Sequence, residues 1–327
     1  MTDKNMRERI NNISKEIGVP TKKVLDLLFA LRDGEAVENN ELIRKVGVSK
    51  NAINKVKERL ASVLKPVSKD TQLDADHIQE VQALFNENYK PEEVLGAILE
   101  DDGYKQAIGI LETISGKRLS PERRYDQFTA TMETTARRAS LLQFFGDVHG
   151  KRLLFLGDDD FTSVAVANIG SAEKVSVVDI DERILSEIET VSGDHNLGIK
   201  NVHYDARKIL PAELRGKFDV VFTDPPYTTE GIDLFTSRAI ESLDKANKTA
   251  RIYVCYGNSD RAKERFLSIY EVLTNSGLMT RWVFDKFNRY HGAESIGSAS
   301  SLFVTEVTPK TKPTIKGDYD KPIYTNN

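Results

Sequence analysis

The 327-residue chain holds a single cysteine, Cys255. An internal disulfide and a multi-cysteine zinc site are therefore excluded, and no metal is expected. The run Arg251-Ile252-Tyr253-Val254-Cys255-Tyr256 is strand-like, which reads the thiol as buried and structural. The chain also lacks any apolar run approaching the roughly 20 residues that span a membrane. Its polar, charged start has no signal-peptide core. No membrane partner is expected, and the cytoplasm is the expected compartment. Of five histidines, His291 has no partner legible in sequence and reads as a solvent-facing loop residue. No internal repeat or low-complexity block is present. A net charge of −4 does not suit a protein that coats nucleic acid as a whole.

What is there suffices for two domains of ordinary size, and a hydrophobic fraction of 39% supports packed cores. Residues 1–66 read as a helical module and are locally basic, with 14 Lys+Arg against 9 Asp+Glu over residues 1–65. Within them Glu41 to Val56 resembles a helix-turn-helix. Gly47 suits a C-terminal cap, Ser49 an N-cap, and Ala52, Ile53 and Val56 form the apolar stripe of the second helix. In a DNA reader Lys50, Asn51, Asn54, Lys55 and Lys57 would face the groove. A scaffold for packing or dimerisation explains the same pattern, and the wing is unclear. Nucleic acid is thus a possible but not a favoured partner.

Residues 67–120 are polar, acidic and helix-rich, and read as a connecting segment. From 121 to 309, strand-like runs alternate with amphipathic helices. The runs are 152–156, 174–179, 201–204, 218–223, 250–256, 279–284 and 301–308. This spacing predicts an α/β fold with a mostly parallel sheet and helices on both faces. Seven strands with the last two close together predict a Rossmann-like sheet of the methyltransferase type, preceded by the helix-turn-helix or winged-helix-like domain. The tail, 310–327, is polar and reads as loose or as a strap.

Ligands of open parallel sheets sit outside the carboxyl ends of the strands. After the first run comes Gly157-Asp158-Asp159-Asp160. Gly157 lets the backbone approach a ligand. Three carboxylates there repel a phosphate and attract a cation, so the turn asks for an adenosine-like but positively charged ligand. Asp160 is the natural choice if one of them only caps the following helix. Asp179 lies 22 residues beyond Gly157, the distance at which such folds place an acid on the ribose hydroxyls. Asp181 follows on the cofactor side or begins the next helix. Asp205, with Ala206, stands where a methyltransferase-like fold meets the adenine amino group. Asp224-Pro225-Pro226-Tyr227 is a rigid turn that can present carbonyls, an acid and an aromatic face to an amine, and is the pattern of methyltransferases acting on exocyclic amino groups. Tyr125, Asp126 and Gln127 upstream, and Asn288 and Tyr290 downstream, are candidates for the amine side of the pocket.

Together these motifs resemble the branched-chain polyamine synthases, over roughly residues 121–308. Thr131, Glu133-Thr134-Thr135, Arg138, Thr162-Ser163, Arg183 and Arg207 belong to the matching pieces. The resemblance implies aminopropyl transfer from decarboxylated S-adenosylmethionine to a polyamine, with methylthioadenosine leaving. It implies Asp159 as the catalytic residue; as general base it would take the proton of the attacking amine. Asp158 and Asp160 would hold the ammonium ends of donor and acceptor, and Pro225 and Tyr227 would orient the nucleophile. A homodimer is the expected assembly. The family's archaeal members carry a cysteine-containing segment ahead of the catalytic domain, absent here, and the first 120 residues look unlike the family's winged-helix domain in detail. Two other readings stay open: an adenosylmethionine-dependent amino-methyltransferase acting on nucleic acid, and a non-catalytic DNA-binding regulator that senses a polyamine.

Overall fold

The chain is seen in a computed structural model that describes residues 3–87, 89–257, 263–291 and 298–325. Its N-terminal unit runs α1 (Asp3–Ile17), α2 (Thr21–Leu31), β1 (Val37–Glu38), α3 (Asn39–Val46), α4 (Lys50–Arg59), β2 (Leu64–Val67) and β3 (Asp70–Leu73). Gly47 ends α3 in the left-handed region at φ 68°, its amide donating to the Ile43 carbonyl. The Ser49 hydroxyl accepts from the Ala52 amide and starts α4. Three short strands pair antiparallel in the order β1-β3-β2. Helix-turn-helix and hairpin together make a winged helix, so the wing that was unclear in sequence is present. Leu73, Val81 and Leu84 join this unit's core. A break at residue 66 falls inside the hairpin, and the connecting segment divides differently. Its helix α5 (Ile78–Gln82) stays with the winged unit. Helices α6 (Val94–Glu100) and α7 (Asp102–Thr113) pack through Ile98, Ile110 and Leu111 on the second unit.

The second unit contains β4 (Thr129–Ala130), α8 (Met132–Phe144), β5 (Arg152–Leu156), α9 (Thr162–Ile169), β6 (Lys174–Asp179), α10 (Glu182–Asp194), β7 (Lys200–His203), β8 (Val220–Thr223), α11 (Thr229–Ser242), β9 (Arg251–Gly257), α12 (Leu267–Asn275), β10 (Met279–His291) and β11 (Ala299–Glu306). The sheet order is β4-β10-β11-β9-β8-β5-β6-β7. The strands from β9 to β7 are parallel, while β11 and β10 run antiparallel at one side. The seven predicted strands are all found. An eighth, Thr129–Ala130, pairs with the far end of β10. It was illegible because two residues carry no period. Successive residues of β5 alternate between two cores. Leu153 and Phe155 pack with α7, α8 and α9, and Leu154 and Leu156 pack with α11 and α12. Burial on both faces explains why this parallel strand reads as one apolar run. Cys255 is buried in β9.

Helices α1 and α2 dock on the amino ends of the central strands. Asn11 donates to the His149 carbonyl at 2.7 Å, Lys151 to the Thr21 hydroxyl at 3.2 Å, and Lys15 pairs with Asp219 at 3.7 Å. The carboxyl ends, where β5 and its neighbours part at the topological switch, remain for a ligand. The tail is a strap. Buried Arg238 donates to the Ala206 and Gly317 carbonyls, the Tyr319 amide donates to the Arg207 carbonyl, and Ile323 is buried. Among the described residues no helix is long and apolar enough to cross a membrane.

Gly146 closes α8 at φ +74°, and a Cβ there would lie 2.6 Å from Thr21 Cγ2 of the winged unit. Gly198 has a similar φ of +66° with open space around it. Gly146→Ala should therefore lower unfolding stability by about 2–4 kcal/mol, the left-handed backbone and overpacking combined, and Gly198→Ala by about 1–2 kcal/mol. Equal losses in urea titrations would contradict the docking described.

Candidate active site

A cavity of about 500 Å³ opens at the carboxyl ends of β5, β6, β8 and β9. Gly157, Asp159, Asp179, Ala206, the Asp224-Pro225-Pro226-Tyr227 turn and Tyr290 line it, and so do Tyr125, Asp126 and Gln127. Most of the predicted site residues are thus brought to one space, although they come from strand ends far apart in sequence.

The three aspartates of the first turn have three different fates. Asp158 is buried, and its carboxylate accepts from the Thr162 and Ser163 amides at 2.8 and 3.1 Å, capping α9. Asp160 is buried and binds Arg138 at 2.8 Å, with the Ala130 amide and Arg118 on its other oxygen. Neither lines the cavity, so the placing of Asp158 on the donor and Asp160 on the acceptor is corrected. The cap is Asp158 rather than Asp160. A tight turn into a helix forces this division. Gly157 and Phe161 both take positive φ, 75° and 59°, and neighbouring side chains then point apart. Only Asp159 faces the cavity, and it makes no hydrogen bond or ion pair among the described residues. Burial, then the charges of Asp160, Asp224 and Asp179, hold its carboxyl well above the ordinary range, against the pull of Arg138.

Asp179 faces the same space from the end of β6. Its two oxygens accept from the Asp158 and Asp181 amides at 3.0 and 2.8 Å. These bonds fix the carboxylate, while burial pushes its pKa up to about 6. Asp181 does not line the cavity. It caps α10 through the Arg183 amide, pairs with the Arg183 side chain, and receives the Gln127 amide at 3.3 Å. Asp205 is also turned away, gripped by Arg207 through its amide and guanidinium, and its neighbour Ala206 lines the wall instead. In both cases an arginine two residues on captures the acid, a local competition that spacing from a strand does not reveal.

Asp224 lines the cavity, yet its carboxylate is occupied. Oδ1 accepts from Tyr227 at 2.9 Å, and Oδ2 from Tyr290 at 2.6 Å and Arg138 at 2.8 Å. The Tyr227 ring lies so close to Gly257 that a Cβ there would approach it to 2.4 Å. Asn288 is buried away from the cavity, accepting from Arg138 at 2.8 Å and donating to Ser300 at 2.9 Å, which corrects its placing in the pocket. Its segment lies beyond the strand-like run 279–284 but continues β10 past a register shift. His291 is exposed at the end of that strand rather than in a loop. Tyr324 and Thr325 of the strap also line the cavity and were missed. Tyr324 sits 5.8 Å from Tyr125, ring to ring, and Thr325 donates to Asp126 through amide and hydroxyl. The apolar pair Ile323-Tyr324 in a polar tail was the available signal.

Arg138 of α8 had a place in the resemblance without a role. Fully buried, it spans Asp160, Asp224, Asn288 and the Tyr290 hydroxyl, at 2.8–3.0 Å. The arrangement is a half-closed space whose carboxylates outnumber the cations facing them, with one carboxylate unpaired. Such a field concentrates cations and suits a base near an amine.

The model of the branched-chain polyamine synthase A C-terminal domain matches residues 108–322, and the chain belongs to that family. An uncharacterised protein of Methanocaldococcus jannaschii is 32% identical over 97% of this chain and 81% of its own length. The N(4)-bis(aminopropyl)spermidine synthase of Thermococcus kodakarensis is 33% identical over 60% of this chain, which spans 56% of that protein. The Thermus thermophilus branched-chain polyamine synthase, crystallised with N4-aminopropylspermidine and 5'-methylthioadenosine, superposes with a TM-score of 0.61 at 22% identity, covering 98% of each chain.

Removing Arg138 leaves Asp224 buried without a cation and Asp160 with Arg118 alone, at 3.4 Å. Arg138→Met should lower stability by about 3–5 kcal/mol. The loss should shrink from pH 8 to pH 5.5, because an unpaired buried carboxyl sheds its charge by taking up a proton. Urea titrations at both pH values check this, and a stability equal to wild type at pH 8 contradicts it.

Proposed function

We propose that the protein is an aminopropyltransferase, moving an aminopropyl group from decarboxylated S-adenosylmethionine to a nitrogen of spermidine or a related polyamine. The observation that carries the proposal is the unpaired Asp159 carboxylate, set between the Asp179 and Asp224 sides of one cavity. The activity named for the T. kodakarensis relative and the ligands of the T. thermophilus structure support the same chemistry. The proposed acceptor nitrogen attacks the carbon next to the sulfonium. A C–N bond forms, the C–S bond breaks with its electron pair going to sulfur, and neutral methylthioadenosine leaves. The proton of the attacking nitrogen passes to Asp159, whose raised pKa makes it a competent base.

Asp179 takes the ribose hydroxyls in this reading, with Gly157 and Ala206 on the nucleoside side. Pro225, Pro226 and Tyr227 face the acceptor, and the Tyr227 ring can meet an ammonium through its π face. Asp224 acts through Tyr227 and Tyr290, which it holds, rather than as a second base. Asp126, Gln127 and Tyr125 close the rim. An intact adenosylmethionine would bring its own carboxylate into the field of Asp159, which disfavours methyl transfer. Holding two substrates in line supplies much of the rate in such a reaction.

Incubation with the decarboxylated donor and a panel of polyamines, with products identified by mass, should give an aminopropylated amine and methylthioadenosine. Asp159→Asn should lower turnover by about 10²–10⁴-fold with unfolding stability retained. Methyl transfer from the intact donor, or full activity of Asp159→Asn, would overturn the proposal.

A further inference from the structure

The winged unit takes no part in the chemistry above, and one of its faces is left open. On α4 the residues Ile53 and Val56 are buried against the unit's core. The opposite stripe, Lys50, Asn51, Asn54, Lys55 and Glu58, is exposed, a set that helical geometry places on one side. Most neighbouring basic side chains are already paired: Lys45 with Glu41, Arg59 with Glu16 and Lys65 with Asp74. Lys57 is drawn back to Asn39. Lys50 and Lys55 make no ion pair, and Asn51 and Asn54 no side-chain hydrogen bond, among the described residues. The β2–β3 hairpin, which Asn39 ties to Lys57 of α4 through Lys69 and Thr71, is exposed from Lys65 to Lys69. At its tip Ser68 takes a φ of 58°, and Lys69 is likewise without an ion pair among the described residues.

We propose that this unit binds duplex DNA, with α4 in the major groove and the hairpin along the phosphate backbone. The second helix of a helix-turn-helix reads bases with its N-terminal residues, which here are Lys50, Asn51 and Asn54. Asparagine amides pair with adenine edges and lysines with guanine edges or phosphates. Glu58, the one carboxylate on the stripe, lies at the far end of α4 from those residues. The open basic face belongs to a segment with 14 Lys+Arg against 9 Asp+Glu, in a chain whose net charge is −4, so its charge is local rather than general. A-form RNA is the poorer fit, because its deep, narrow major groove does not admit a helix. The catalytic domain does not obstruct α4. It meets the unit through α1 and α2, at the end of the sheet away from the cavity.

The test is fluorescence anisotropy of the full chain with a 30-base-pair DNA duplex between 50 and 200 mM salt. Binding should be measurable at 50 mM and weaken steeply as salt rises. The triple variant K50E/K55E/K69E should bind at least tenfold more weakly, with a log–log salt slope smaller by about 2–3, while aminopropyl transfer and thermal unfolding stay unchanged. Should the triple variant not fold, Lys55→Ala alone should lower the slope by about 1. No binding by the wild-type chain at 50 mM salt, equal binding by the folded variants, or tighter binding of an RNA duplex of the same length would overturn the proposal.

Discussion

The site depends on one buried cation. Arg138 reaches from α8 to the turn after β5 at Asp160, to the proline turn at Asp224 and to β10 at Asn288 and Tyr290. A planar guanidinium with five donors can serve all four partners at once, and a lysine cannot. Charges this deep are tolerable only when paired and hydrogen-bonded. Each of the partners is therefore fixed where Arg138 holds it, and the two turns face one another across a defined gap.

The consequence for chemistry is a division of labour among like charges. Several acids crowd the carboxyl ends of the strands, and nearly all are spent internally. Asp158 caps a helix, Asp160 and Asp224 neutralise Arg138, and Asp179 is held by two amides. The negative field survives this pairing, because burial weakens screening of what remains. Asp159 stands in that field with no partner of its own, its proton affinity raised by burial and by its neighbours. In the proposed reaction a cationic donor and a polyamine would each lower the cost of ionising it. The same field that would draw them in raises its proton affinity.

Much of this was legible in the sequence, for physical reasons that also explain the failures. Strand-buried runs such as Leu153–Leu156 announce themselves by composition, and a parallel sheet dictates that the residues after them meet a ligand. Gly157, Asp159, Asp179 and the Asp224-Pro225-Pro226-Tyr227 turn followed from that rule. The fates of Asp158 and Asp160 did not, because the direction of each side chain depends on φ values of the turn. Asp181 and Asp205 were lost to arginines two residues away, and Asn288 to a strand that runs on through an irregular register. The wing of the N-terminal unit and the strand at Thr129 are too short to carry a period, and the strap's Tyr324 reaches the cavity only through long-range packing.

The central claim is that Asp159 selects, by charge, the donor that lacks a tail carboxylate. Isothermal titration with decarboxylated and with intact S-adenosylmethionine, on wild type and on Asp159→Asn, tests it most directly. Once a bound sulfonium has ionised Asp159, a like-charge contact with the tail carboxylate of the intact donor amounts, at an effective dielectric near 20, to more than about 1.4 kcal/mol. Wild type should therefore prefer the decarboxylated donor by at least about tenfold, and the substitution should remove most of that preference. An unchanged preference in Asp159→Asn, or a wild type that binds the two donors equally, would contradict the account.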